Sequence, residues 1–276
     1  MNTQRKITAI LMASVVVMMV AVPMAFGQDA ATSADVTLDA NPVVNSVVVS
    51  PDTVDMNQHP DTTPITVTAT VSHANGYEQI ATVQVTDIAP EIVGVTPPID
   101  LTFSYSNSDT QAVYIGTIDL PPCTPPRYGT EDYTLTVTAY DKKTTPGEGT
   151  GTDTFEVNAL VAITVTNVPF GSLNPGSYKD KITSTVTNKG NAEIEFVDAG
   201  DNGYNNDLKD GITWSAMTSG VTNTIPASNI VTDWHKQDTL TCGNTGTPKF
   251  TLSVPLGTPP GAYSGTITFT PSEVLA

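Results

Sequence analysis

The densest set of metal-ligating groups in this 276-residue chain is the run Asp198 to Asp210, DAGDNGYNNDLKD. Calcium takes about six to eight oxygen ligands from a flexible, glycine-bent loop. Asp198, Asp201, Asn202, Asn205, Asn206, Asp207 and Asp210 offer such oxygens, and Gly200 and Gly203 permit the sharp turns. The run is not an EF-hand, because the third position is Gly200 and the twelfth is Lys209. Calcium is the one cofactor the sequence suggests. The competing reading is a solvated loop whose Asp and Asn side chains cap turns.

Other chemistry is sparse. His59, His73 and His235 fall in turns or at strand ends, with no spaced His or Cys partner, and read as exposed loop histidines. No G-x-S-x-G or Ser-x-x-Lys is present. Paired carboxylates such as Glu131-Asp132 sit in turns, where solvation is the default. No catalytic residue is assigned, and the chain reads as a non-enzyme. Trp214 and Trp234 lie on strands, either as core or as a surface platform for sugars. Cys123 and Cys242 are the two cysteines. Without C-x-x-C or a Cys/His cluster they support neither zinc nor redox chemistry.

Lys+Arg is 11 against Asp+Glu 28, a formal net charge of -17. A nucleic-acid binder needs a basic face, so that partner class is excluded. Hydrophobic residues at 39% and charged residues at 14% argue against a disordered acidic chain. Thr and Val are abundant, which favours strands.

Met1 to Gly27 has a basic start at Arg5-Lys6, an apolar run from Ile7 to Val22, and small residues at Ala25 and Gly27. It reads as a secretory signal peptide cleaved before Gln28, so the mature chain is not membrane-embedded. Residues 28–44 form a leader with one alternating stretch, Asp35 to Asp39. Strand-like runs then come at roughly ten-residue spacing, as in β-sandwiches. They are Asn45–Val54, Pro64–Ser72, Ile80–Thr86, Ala112–Leu120, Tyr133–Tyr140 and Thr152–Val157. A second set comprises Ala162–Val168, Lys181–Asn188, Ala192–Asp198, Ile212–Met217, Ile230–Trp234, Pro248–Leu256 and Tyr263–Thr270. The expected fold is all-β: two tandem antiparallel Ig-like β-sandwiches, 45–158 and 159–276, tightly joined after the signal peptide.

The halves echo each other. Thr124-Pro125-Pro126 precedes the strand opened by Tyr133, and Thr258-Pro259-Pro260 precedes the one opened by Tyr263. By that echo the second set is expected to end on its penultimate strand and lack a final one; the alternative is a different strand order that closes itself, with a disordered leader. The leader is long enough to supply a strand to the next molecule, and head-to-tail use of that contact gives a filament.

Residues 45–158 resemble bacterial-type Ig-like and cadherin-like modules, on Ser50-Pro51-Asp52-Thr53-Val54, the run TVTATVSHANG ending at Gly76, and TLTVTAYD ending at Asp141. Residues 160–270 resemble modules of archaeal cell-surface proteins, on FGSLNPGS, TVTNKGNAEIEF and GAYSGTITF. The motif order is similar to PapD-like sandwiches and, more loosely, to TasA/camelysin fibre subunits. The resemblance implies a secreted cell-surface protein, with self-association, other surface proteins or polysaccharide as partners. In such a sandwich the corner holding Cys123 faces the second module. A Cys123–Cys242 bridge within the chain is then favoured over an intersubunit bond or free thiols.

Overall fold

The computed structural model describes residues 40–127, 131–196, 212–220, 223–232 and 239–274. The segment expected to be a signal peptide, 1–27, and residues 28–39 of the expected leader lie outside the described residues. Ala40–Ala276 forms one compact unit. Among the described residues there is no α-helix, only strands and two short 3-10 turns, so the fold is all-β.

In the N-terminal half the strands are β1 (Val43–Ser50), β2 (Thr53–Val54), β3 (Thr63–Ser72), β4 (Ile80–Ala89), β5 (Ile99–Ser108), β6 (Gln111–Leu120), β7 (Tyr133–Asp141) and β8 (Glu148–Val157). Their order is β1-β3-β6-β5-β4-β7-β8-β2. Successive side chains of a strand point to opposite faces, so alternation selects a buried face. Ile65, Val67, Ala69 and Val71 of β3 are fully buried, and so are Leu135, Val137 and Ala139 of β7. They join one apolar core running from Val47 to Val157. The longest ladders are β3–β6, with ten paired positions, and β4–β7 and β7–β8, with eight each.

The C-terminal half uses shorter pieces: β9 (Ile163–Val165), β10 (Tyr178–Thr183), β11 (Val186–Asn188), β12 (Ile194–Glu195), β13 (Ile212–Trp214), β14 (Met217–Ser219), β15 (Asn223–Ile225), β16 (Ile230–Thr232), β17 (Thr245–Gly246), β18 (Lys249–Ser253), β19 (Ile267–Phe269) and β20 (Ser272–Glu273). The run expected as one strand, Lys181–Asn188, is two. β10 pairs with β18, and after Ser184 the chain changes sheet so that β11 pairs with β9 and β17. A second apolar core, from Phe170 to Val254, fills this half.

Three glycines seat the start of the described chain. Gly147, Gly149 and Gly151 alternate along β8 and its approach, so all three present the same face. A Cβ there would collide with the Asn41 side chain, the Pro42 carbonyl and the Val44 side chain, respectively. Beside them Lys143 Nζ donates to the Ala40 carbonyl at 2.8 Å and pairs with Asp141 at 2.7 Å. Asp141 is buried and also accepts the N–H groups of Gly147, at 2.9 Å, and of Lys143, at 3.2 Å. His73 is buried too, in contrast to the exposed histidine expected from its place in a turn. Its Nδ1 accepts the Asn75 N–H, and its Nε2 faces Asp141 at 4.0 Å.

Burial alone would raise the Asp141 carboxyl. The Lys143 ammonium and the two N–H donors more than offset it, and the net shift is downward. A carboxylate with a lowered folded pKa stabilises the fold fully above its unfolded pKa of about 4, and that stabilisation fades as pH falls through the folded value. Asp141→Asn is therefore less stable than the parent chain at pH 7, and the gap narrows as pH falls below about 4. Urea unfolding from pH 7 to 2.5 measures it; a pH-independent gap would contradict this ionised pairing.

Candidate functional site: an open groove in the C-terminal half

The echo between the halves holds at the level of hydrogen bonds. In Pro121-Pro-Cys-Thr124-Pro125-Pro126 the Thr124 hydroxyl donates to the Pro121 carbonyl at 2.7 Å, and the Tyr133 hydroxyl to the Pro125 carbonyl at 3.0 Å. In Pro255-Leu-Gly-Thr258-Pro259-Pro260 the Thr258 hydroxyl donates to the Pro255 carbonyl at 2.7 Å, and the Tyr263 hydroxyl to the Pro259 carbonyl at 2.9 Å. The corner locks the loop to the strand after it. It makes β7 and β19 equivalents, and β6 and β18 likewise.

The two halves diverge after these equivalent strands. In the N-terminal half β8 lies between β7, antiparallel, and β2, parallel. Among the described residues of the C-terminal half, β20 alone comes after β19, and it pairs elsewhere, with β12. β19 pairs with β13 on one side. The edge of β19 away from β13 and the edge of β9 away from β11 have no strand partner among the described residues.

Bond directions identify the groups at those edges. Thr166 N–H donates to Thr185, and the Ala162 carbonyl accepts from Lys189, so the even residues here face β11. Antiparallel pairing alternates, which turns the N–H and C=O of Ile163 and Val165 the other way. Likewise Ser264 exchanges both bonds with Thr218, and the Thr266 carbonyl accepts from Ser215. Ile267 and Phe269 therefore present their backbone to the opposite edge.

Both edges line one groove of about 1370 Å³. Ile163, Val165, Phe170, Ile267 and Phe269 stand along its sides, and Ile225, Ile230, Leu252 and Val254 form an apolar floor. Ile163, Ile267 and Phe269 pack against the second core but are only half-buried, and Val165 is exposed. Two unpaired edges over an apolar floor have the chemistry to accept one extended peptide, with backbone bonds on both sides and alternate side chains pointing down.

The junction between the halves is covalent and hydrogen-bonded. Cys123 and Cys242 form a disulfide across a sequence separation of 119. Asn191 stitches the junction. Its amide donates to the carbonyls of Thr124, at 2.9 Å, and Asn158, at 3.1 Å, while its oxygen accepts the Leu160 N–H at 2.6 Å. Asn188 is fully buried and ties its own turn to Ala192 and Leu240. A Cβ on Gly190 would strike the Leu160 carbonyl, so only glycine fits there.

Of the other sequence-derived sites, the acidic loop with Asp198, Asp201, Asn202, Asn206, Asp207 and Asp210 lies outside the described residues, as do Trp234 and His235. Trp214 is core: it packs edge-on to Phe250 and donates its indole N–H to the Ala227 carbonyl at 2.8 Å. His59 is half-buried near Gly243, and its N–H donates to the Lys189 carbonyl. Glu131 is exposed and faces Arg127 at 3.8 Å. Among the described residues no three His, Cys, Asp or Glu gather in a metal-binding group. No helix among them is long and apolar enough to cross a membrane.

No protein-family model matches the chain, and no curated protein is significantly similar to it.

The corner bond yields a direct test. Tyr263→Phe removes the hydroxyl and leaves the Pro259 carbonyl unpaired, a loss of about 1 kcal/mol. Equilibrium urea unfolding should show that loss. An unchanged midpoint would mean that the corner contributes nothing to stability.

Proposed function

We propose that the chain is a non-enzymatic, extracellular structural subunit built of two tandem Ig-like sandwiches. In this reading it is secreted through its signal peptide and forms a filament, sheath or coat by strand addition. The observation that carries the proposal is the pair of unpaired edges, β9 and β19, lining one apolar groove where β8 closes the N-terminal half. The occupant is the leader of the next molecule. Ala34, Val36 and Leu38 alternate there with Asp35, Thr37 and Asp39, which suits one apolar and one solvated face.

The equivalence of β19 with β7 also gives a direction: the incoming segment runs antiparallel to β19, as β8 does to β7. A contact between two different surfaces of identical molecules is heterologous and repeats without closing, which makes a polymer. The disulfide supports export, since such bonds persist in oxidising compartments. A rigid junction suits a load-bearing subunit, and the net charge of -17 would keep unassembled chains apart. The likeness to archaeal cell-surface modules and to TasA/camelysin fibre subunits points the same way.

The mature chain from Gln28 should form polymers visible by electron microscopy and a mass distribution that grows with concentration. The double variant Val36→Asp/Leu38→Asp puts two charges against the apolar floor and should remain monomeric with an unchanged fold. A strictly monomeric parent chain at high concentration, or polymers that persist in the double variant, would end the proposal.

A further inference from the structure

The N-terminal half holds a second opening of different chemistry. β4 and β5 pair only at Val83–Leu101, Gln84–Asp100 and Val85–Ile99. Beyond these positions β5 stays with β6 while β4 stays with β7, so the two strands fork. The fork encloses a cleft of about 440 Å³. That is within the usual range for small-molecule sites, about 300–1,000 Å³.

An aromatic side chain stands in the cleft. Phe103 is stacked on Tyr77, with centroids 5.8 Å apart and planes 16° apart, and meets Tyr114 edge-on at 6.0 Å. Two neighbouring rings thus fix its orientation, yet 52% of its surface remains open. Glu78, Asp100 and Lys142 line the same cleft. Asp100 is held by the Gln84 amide at 2.7 Å, and its carboxylate retains further acceptor capacity.

We propose that this cleft is a saccharide-binding site. A sugar ring presents an apolar C–H face and a rim of hydroxyl groups. The face stacks on Phe103, and the rim donates to the carboxylates of Glu78 and Asp100 and accepts from the Lys142 ammonium. Other occupants fit less well. A nucleic acid, the acidic leader or a second copy carrying -17 would bring negative charge to two carboxylates. Apolar side chains packed into the cleft would offer those carboxylates no donors, and burying them so is costly. A neutral polyol satisfies both kinds of group. The site is independent of strand addition, because it lies in the other half and uses no groove residue.

The test is calorimetric titration of the mature chain with cellohexaose, chitohexaose and mannohexaose, and with polygalacturonate as an anionic control. At least one neutral hexasaccharide should bind, and polygalacturonate should not. Phe103→Leu keeps apolar bulk but removes the ring face, and Asp100→Asn removes the charged acceptor. Each should weaken binding at least tenfold with an unchanged circular dichroism spectrum. Val36→Asp/Leu38→Asp should bind as the parent chain does. Failure of all three neutral sugars, binding of polygalacturonate, parent-like binding by either cleft variant, or loss of binding in the leader variant would overturn the assignment.

Discussion

An extended segment carries N–H and C=O groups on both edges, and each needs a partner or water. That constraint organises the molecule. The N-terminal half meets it by closing on itself: β8 enters between β7 and β2, and the last strand of the half seals its core. The C-terminal half repeats the same corner, the same tyrosine bond and the same strand after it, but no strand among the described residues takes the place of β8. The groove is the direct consequence. Its floor is apolar because the second core continues beneath it, and its walls are strand edges because no strand among the described residues covers them.

The long strands were legible from sequence because their alternation coincides with one-sided burial. Pro64–Ser72 and Tyr133–Tyr140 are the plainest cases, and both sit centrally in ladders. β5 was not found, although Leu101, Phe103 and Tyr105 alternate. Only Leu101 is buried, and Phe103 and Tyr105 stay exposed on a strand that forks away from the core. In the C-terminal half the alternation of Lys181–Asn188 runs across a change of sheet at Ser184, which a period-two pattern does not reveal. The Pro-x-x-Thr-Pro-Pro echo was legible, and with it the place in the fold of β19, one edge of which has no strand partner among the described residues. The groove itself was not, since its floor comes from residues spread between Ile225 and Val254.

Polar residues were the harder part. His73 reads as a surface turn residue, but the turn lies against β7, where Asp141 draws the ring inward. Asn188 and Asn191 look like ordinary turn formers in NKGN. In the fold each is nearly or fully buried and satisfies backbone groups contributed by different segments. Long-range partners of this kind leave no periodic trace. Together with the disulfide they couple the halves. Closing a loop of 119 residues alone stabilises by roughly 4–5 kcal/mol in the chain-entropy model. Any force passed from the N-terminal half to the C-terminal half would cross this junction.

Hydrogen exchange at the two open edges tests the account most directly. In assembled material from the mature chain, the amides of Ile163, Val165, Ile267 and Phe269 should exchange slowly, because an added strand lies against both edges. In the monomeric Val36→Asp/Leu38→Asp variant the same amides should exchange fast, while the β3–β6 ladder stays protected in both. Equal exchange at these four amides in the two samples would contradict strand addition as the means of closing the second core.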